Sequence, residues 1–129
     1  MVNIFKALAD ENRLRIFNIL LDNELCVCEI EVMLDLSQSN ASRHLTKLKN
    51  EGLISASKDA QWIHYKVDNN FLEENNFLLQ FIMEKTKEEE IFINDEQRMK
   101  RYKDNELNCQ LIRENRDEVL EIITLKENK

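Results

Sequence analysis

Three cysteines and one polar run hold the side chains of this 129-residue chain best suited to chemistry. Cys26 and Cys28 stand one residue apart, and Cys109 lies far downstream. An odd number of cysteines, behind an N-terminus (Met1-Val2-Asn3-Ile4-Phe5-Lys6) with no export pattern, argues against a disulfide framework. The thiols are therefore expected to be reduced and the protein cytoplasmic. Reduced thiols have two uses, as small hydrophobes in a core helix or, once deprotonated, as ligands for soft ions. The polar run is Ser37-Gln38-Ser39-Asn40-Ala41-Ser42-Arg43-His44. Gln and Asn can bond adenine bidentately, Arg can read guanine, and hydroxyls can bond bases or phosphates. No enzyme is expected, because there is no Gly-rich phosphate loop and no Ser/His/Asp or Cys/His set with a pocket behind it. Glu88-Glu89-Glu90 reads as a solvated helix face.

The elements that must position these residues follow from composition and period. One glycine and no proline argue against a turn-rich β fold, while 43% hydrophobic and 33% charged residues suit a packed core with a solvated surface. No apolar run approaches a membrane span, so no membrane partner is expected. Short helices are predicted over Ile4–Leu8 and Leu14–Leu21, with Asp10 as N-cap of the second, and a third over Glu24–Leu34. Asp35-Leu36-Ser37 makes a turn, and Ser37 caps a helix running through Lys49 that Gly52 ends. The period then becomes alternating, predicting strands Leu53–Lys58 and Trp62–Val67 joined through Asp59-Ala60-Gln61. From Asn70 the pattern is helical again, over Phe71–Phe92, Glu96–Lys103 and Glu106–Leu125.

Two helices joined by a short turn and followed by a hairpin describe a winged helix-turn-helix, so the fold class is mostly α with a small β-hairpin and additional C-terminal helices. Residues 1–68 form the DNA-binding core and residues 69–129 a helical extension. The expected DNA contacts are Ser37, Gln38, Ser39, Asn40, Ser42, Arg43 and His44 at the groove, with Lys47, Lys58, Gln61 and Lys66 on or near the backbone. His44 and His64 are assigned to DNA contact or packing rather than to a metal. The chain carries −7, yet residues 37–66 hold five basic against two acidic side chains, a local +3 that leaves −10 elsewhere. The apolar stripes Phe77, Leu78, Phe81 and Ile82, then Leu107, Leu111, Val119, Leu120 and Ile123, call for a partner surface and predict a homodimer.

Several motifs resemble the ArsR/SmtB family of metalloregulatory repressors. They are Phe5-Lys6-Ala7-Leu8-Ala9-Asp10-Glu11-Asn12-Arg13-Leu14-Arg15-Ile16, Glu24-Leu25-Cys26-Val27-Cys28-Glu29-Ile30, Leu36-Ser37-Gln38-Ser39, Ser42-Arg43-His44-Leu45, Glu51-Gly52-Leu53-Ile54 and Trp62-Ile63-His64-Tyr65. The likeness runs over residues 4–67. It implies a homodimeric repressor on double-stranded, inverted-repeat operator DNA, released when a metal or metalloid ion binds. It also implies that Cys26 and Cys28 are thiolate ligands of an arsenic, antimony, cadmium or lead sensor; Cys109 lies outside the likeness and is either a further ligand, since related sensors recruit thiols from varied places, or a buried helix residue. Arsenite or antimonite is the favoured inducer; cadmium or lead is the alternative within the family. Glu31 stands where one arsenic-sensor pattern has its third cysteine, and residues 1–25 lack the N-terminal cysteines of the cadmium and lead sensors. The scarcity of histidine argues against a zinc or nickel site. On a helix, residues i and i+2 point about 200° apart, so an ion gripping both thiolates is expected to bend the helix ahead of the recognition helix. The rivals from other classes are a cysteine redox switch and a winged helix that binds protein instead of DNA.

Overall fold

The computed structural model describes residues 1–124. Its elements are α1 (Val2–Leu8), α2 (Glu11–Leu20), β1 (Leu25–Cys26), α3 (Val27–Leu34), α4 (Gln38–Asn50), β2 (Ile54–Asp59), β3 (Trp62–Val67), α5 (Asn69–Glu74), α6 (Asn76–Thr86), α7 (Glu90–Asp104), α8 (Cys109–Glu114) and α9 (Arg116–Thr124).

Side-chain caps decide where several of these helices begin, because the first backbone N–H groups of a helix have no partner of their own. Asp10 accepts from the Arg13 N–H at 3.1 Å and starts α2. Ser37 accepts from the Asn40 N–H at 3.2 Å and starts α4, as its sequence predicts. Gly52 follows α4 with φ +83°, a left-handed conformation that glycine adopts without penalty. The hairpin link has no glycine to take that part, and Ala60 assumes it at φ +59°.

Two parts of the expected layout change. The third helix starts at Val27 rather than Glu24. Leu25 and Cys26 are instead an extended strand, β1, which pairs antiparallel with β3 (Leu25 with Tyr65, Cys26 with His64). The wing is thus three-stranded in the order β1-β3-β2, and not a hairpin alone. The cause is local: the Cys26 N–H donates to Glu29 Oε1 at 2.9 Å, which caps α3 and holds Cys26 outside it. Downstream, the expected helix Phe71–Phe92 is broken at Asn75 and again before Glu90. The segment Glu96–Lys103 lies inside the longer α7, and Asn115 divides α8 from α9. Asparagine competes with the helix for its own backbone groups: Asn75 Nδ2 donates to the Phe71 carbonyl at 3.0 Å, and Asn115 Oδ1 caps the Glu118 N–H at 3.2 Å. Leu125, the expected end of the last helix, lies outside the described residues.

A single core runs through Ile16, Phe17, Ile30, Met33, Leu45, Leu48 and Leu53 and takes in Met99 and Tyr102 of α7. Val119 and Ile123 of α9 belong to it too, 3% and 0% exposed. Their expected place in a face between subunits is therefore corrected, since the extension folds back onto α3 and covers them itself. Phe77 and Phe81 behave differently, standing 88% and 58% exposed on α6.

Arg15 ties the extension to the core. Its guanidinium donates to both carboxylate oxygens of Asp95 at 2.9 Å and to the Leu34 carbonyl at 3.1 Å. Burial lifts the Asp95 carboxyl above its usual range, and the paired guanidinium opposes this. Removing one partner strands the other in a site with little water. Asp95→Ala is expected to lower the free energy of unfolding by about 3 kcal/mol, measured by urea denaturation; a loss below about 1 kcal/mol would show that water replaces the carboxylate.

Candidate thiol site and nucleic-acid interface

The three cysteines meet at the start of α3. Cys26 is its N-cap, Cys28 lies in its first turn, and Cys109 opens α8 from 83 residues away. Their sulfurs all lie within 4.8 Å of one another. Cys26 and Cys109 are joined as a disulfide, and Cys28 Sγ is 3.2 Å from Cys26 Sγ. The expectation of three reduced thiols is thereby corrected for this structure: tertiary packing brings together two cysteines that spacing alone could not relate. The expected divergence of Cys26 and Cys28 is corrected as well. Cys26 is extended rather than helical, so both sulfurs face one point without any bend in α3.

Cys26 and Cys109 are buried and Cys28 is half-buried. Burial, reinforced by the carboxylates of Glu29 and Glu31, pushes the Cys28 thiol up to about 11. A cavity of about 230 Å³ adjoins the sulfurs, lined among others by Cys26, Cys28, Trp62, Tyr65 and Arg113. The Arg113 guanidinium of α8 lies over the Trp62 ring, 5.2 Å from its centroid, which fastens α8 to the wing.

Sequence reasoning missed Glu29 and Tyr102. Glu29 is 8% exposed; one carboxylate oxygen holds the Cys26 N–H and the other accepts from the Tyr102 hydroxyl. A helix start placed at Val27 would have revealed Glu29 as a capping residue, whereas nothing in the sequence relates Tyr102 to it.

On α4, Ala41, Leu45 and Leu48 face the core, while Ser37, Gln38, Ser39, Asn40, Ser42 and Arg43 are exposed. Arg43 donates to Asn40 Oδ1 at 3.0 Å, presenting an amide and a guanidinium side by side. Lys47 is exposed and 3.7 Å from Glu51; Lys58, Gln61 and Lys66 are exposed on the wing, with Gln61 also beside the thiol cavity. His44 turns the other way. It is 3% exposed, with Nδ1 3.4 Å from Arg13 Nη1 and Nε2 3.9 Å from Asp10. Its placement at the groove is corrected in favour of packing.

α3, the short turn, α4 and the β2–β3 wing define a winged helix-turn-helix regulator. Residues 10–56 match the family described as "Bacterial regulatory protein, arsR family". The chain is 45% identical over 67 residues to the "Arsenical resistance operon repressor" of Escherichia coli K12, covering 51% of this chain and 57% of that one. It is 42% identical over 66 residues to the "Cadmium resistance transcriptional regulatory protein CadC" of Listeria innocua, covering 50% and 56%. Among solved structures it resembles reduced HlyU from Vibrio cholerae, at 40% identity and a TM-score of 0.54, covering 62% of this chain and 85% of that one. The chain spans little more than half the length of these curated relatives. It belongs to the ArsR family of winged-helix regulators.

Burial holds the His44 imidazole below its ordinary value of 6.5; the Arg43 and Arg13 cations add to this and Asp10 opposes it. As pH falls below about 6.5 the unfolded chain binds a proton that the folded chain refuses, so stability present above that pH is lost. The urea midpoint is expected to fall between pH 7 and pH 5, and His44→Gln to remove part of that slope. An identical slope in both proteins would mean that His44 protonates freely when folded.

Proposed function

We propose that this protein is a homodimeric transcriptional repressor working on cytoplasmic DNA. In this reading α4 and the wing bind operator DNA, and the protein leaves it when arsenite or antimonite is bound by Cys26, Cys28 and Cys109. Residues 1–68 form the DNA-binding core, and residues 69–129 supply the third thiol and part of the dimer face. The observation that carries the proposal is the convergence of three sulfurs within 4.8 Å at the helix immediately before the recognition helix. Its similarity to an arsenical resistance operon repressor supports the same reading.

Charge favours a metalloid over cadmium or lead. Three thiols displace three hydroxyls from arsenous acid and release three waters, leaving a neutral complex. A divalent cation held by three thiolates would leave a net negative charge beside Glu29 and Glu31, and desolvating such a charge is costly. The similarity to a cadmium resistance regulator keeps that ion as the rival within the family.

The Cys26–Cys109 bridge favours a second reading, a redox switch. There a peroxide takes two electrons and two protons from the paired thiols and is reduced to water, and DNA is released without an ion.

An anaerobic arsenite titration of the reduced protein on a DNA duplex, selected by the wild type from a random pool, separates the two. Cys26→Ser and Cys28→Ser are expected to bind that duplex normally and to keep it in arsenite, while Cys109→Ser binds the ion more weakly and responds in part. Emptying a site from 99% to 1% occupancy takes a differential affinity of about 10⁴. Release of the Cys26→Ser, Cys28→Ser double variant at the wild-type arsenite concentration would sink the metalloid reading, and wild-type release by peroxide alone would favour the redox one.

For the DNA face, Arg43→Ala is expected to lose about 1–3 kcal/mol on the selected duplex and little on random DNA. Lys58→Ala should weaken both alike and lower the salt slope by about one. Equal effects on both duplexes from Arg43→Ala would remove α4 from base reading. For assembly, the exposed Phe77 and Phe81 of α6, with Val2 and Phe5 of α1 at 61% and 56% exposure, supply the apolar face of a symmetric dimer. Replacing Phe77 and Phe81 together by Ser is expected to shift the protein from dimer to monomer in sedimentation at micromolar concentration; an unchanged dimer would place the interface elsewhere.

A further inference from the structure

Three side chains of α7, at spacings of three and four residues, reach along α3 from one end to the other. Tyr102 donates its hydroxyl to Glu29 Oε2 at the thiol end, and Glu29 Oε1 holds the Cys26 N–H at 2.9 Å. Arg98 Nη1 donates to the Met33 carbonyl at 3.2 Å, in the last turn of α3. Asp95 holds Arg15, whose Nη2 donates to the Leu34 carbonyl, the last residue of α3. Tyr102 and Asp95 are each 3% exposed, so little water competes for these contacts. Beyond Leu34 lie only Asp35, in the left-handed conformation at φ +57°, Leu36, and Ser37, the cap of α4. The family match ends at residue 56, so α7 lies outside it.

We infer that α7 is a splint that makes the thiol site and the recognition helix move as one, with Tyr102 as the positioning residue at its thiol end. This inference rests on the ion-release reading above and states how the signal crosses the molecule. α3 has only eight residues, about 12 Å of helix, so a shift at its first turn is carried to its last. An ion held by three reduced thiols sets one spacing among the sulfurs, different from the bonded Cys26–Cys109 pair and the 3.2 Å Cys26–Cys28 contact, and so shifts the Cys26 backbone that Glu29 holds. Glu29 carries the displacement to Tyr102 and therefore to α7. α7 acts again on Met33 and, through Asp95 and Arg15, on Leu34, where the chain turns into Ser37. The coupled element is a pair of helices, α3 and α7, clamped at both ends.

The test compares full-length wild type, Tyr102→Phe and Arg98→Ala, with arsenite as the probe and the selected duplex as DNA. Amide hydrogen exchange is followed at Cys26 and at Leu36, whose N–H is held by the Glu31 carbonyl at 3.0 Å. Tyr102→Phe removes one hydroxyl and no packing volume, and is expected to speed exchange about tenfold at both positions. It should still titrate with arsenite by thiolate-to-arsenic absorption, while the arsenite-induced loss of DNA affinity shrinks about tenfold. Arg98→Ala, far from the sulfurs, is expected to speed exchange at Leu36 and to reduce the same loss. A fully packed structural role without coupling would leave the arsenite effect on DNA at its wild-type size in both variants, and that result overturns the inference. Faster exchange at Cys26 with none at Leu36 in Tyr102→Phe overturns it as well. Should wild type itself keep its DNA in saturating arsenite, the ion-release reading falls, and the exchange data alone still decide whether α7 clamps both ends of α3.

Discussion

The Glu29 carboxylate is the interaction on which the rest of the site depends. With one oxygen it takes the Cys26 N–H, which ends β1 and starts α3; with the other it takes the hydroxyl of Tyr102 and so brings α7 against α3. A buried carboxylate is tolerated only where its oxygens are occupied, so satisfying Glu29 forces the chain to solve both problems together. Because Cys26 is held in extended backbone, its sulfur turns toward Cys28 instead of to the opposite side of a helix. The seating of α7 in turn carries the connection that delivers Cys109 to the same point.

The thiols sit beside two carboxylates, which penalise any complex that leaves net negative charge on the sulfurs. Burial pushes the Cys28 thiol up, and Glu29 and Glu31 add to this, Glu31 being paired with Arg116 of α9 at 3.3 Å. Such surroundings favour chemistry that ends without net charge, which is why the proposed ligand is a metalloid hydroxide and not a divalent cation. Arg113, the cation on α8 near the sulfurs, lies over the face of Trp62.

The surface proposed to meet DNA solves a different problem within an acidic chain. The exposed positions of α4 carry hydroxyl, amide and guanidinium groups, and the lysines of α4 and the wing give residues 37–66 a local positive balance against a whole-chain charge of −7. Field at the contact and not net charge governs attraction to a polyanion. The buried face of the same helix is fastened by Leu45, Leu48 and His44, so its exposed side chains are presented by a rigid element.

Much of this was legible in residue order. Asp10 and Ser37 are caps by type and position, Gly52 marks the end of α4, the alternation from Trp62 to Val67 marks a strand, and the polar run at Ser37–Arg43 marks the exposed face of α4, because each of these is a local property of a few neighbouring residues. The Cys26-Val27-Cys28 pair was visible too, but its geometry was not. Whether Cys26 is the last residue of a strand or an interior residue of a helix depends on its pairing with His64 in β3 and on the Glu29 cap, and helical periodicity through Ile30 to Leu34 masks that boundary. The inward turn of His44 and the burial of Val119 and Ile123 depend on which surface packs over them, which no single-helix pattern states. Cys109 and Tyr102 reach the first turn of α3 only because α7 folds back along it through Asp95, Arg98 and Arg15. Contacts across 73 and 83 residues are set by tertiary packing, and local sequence carries no record of them.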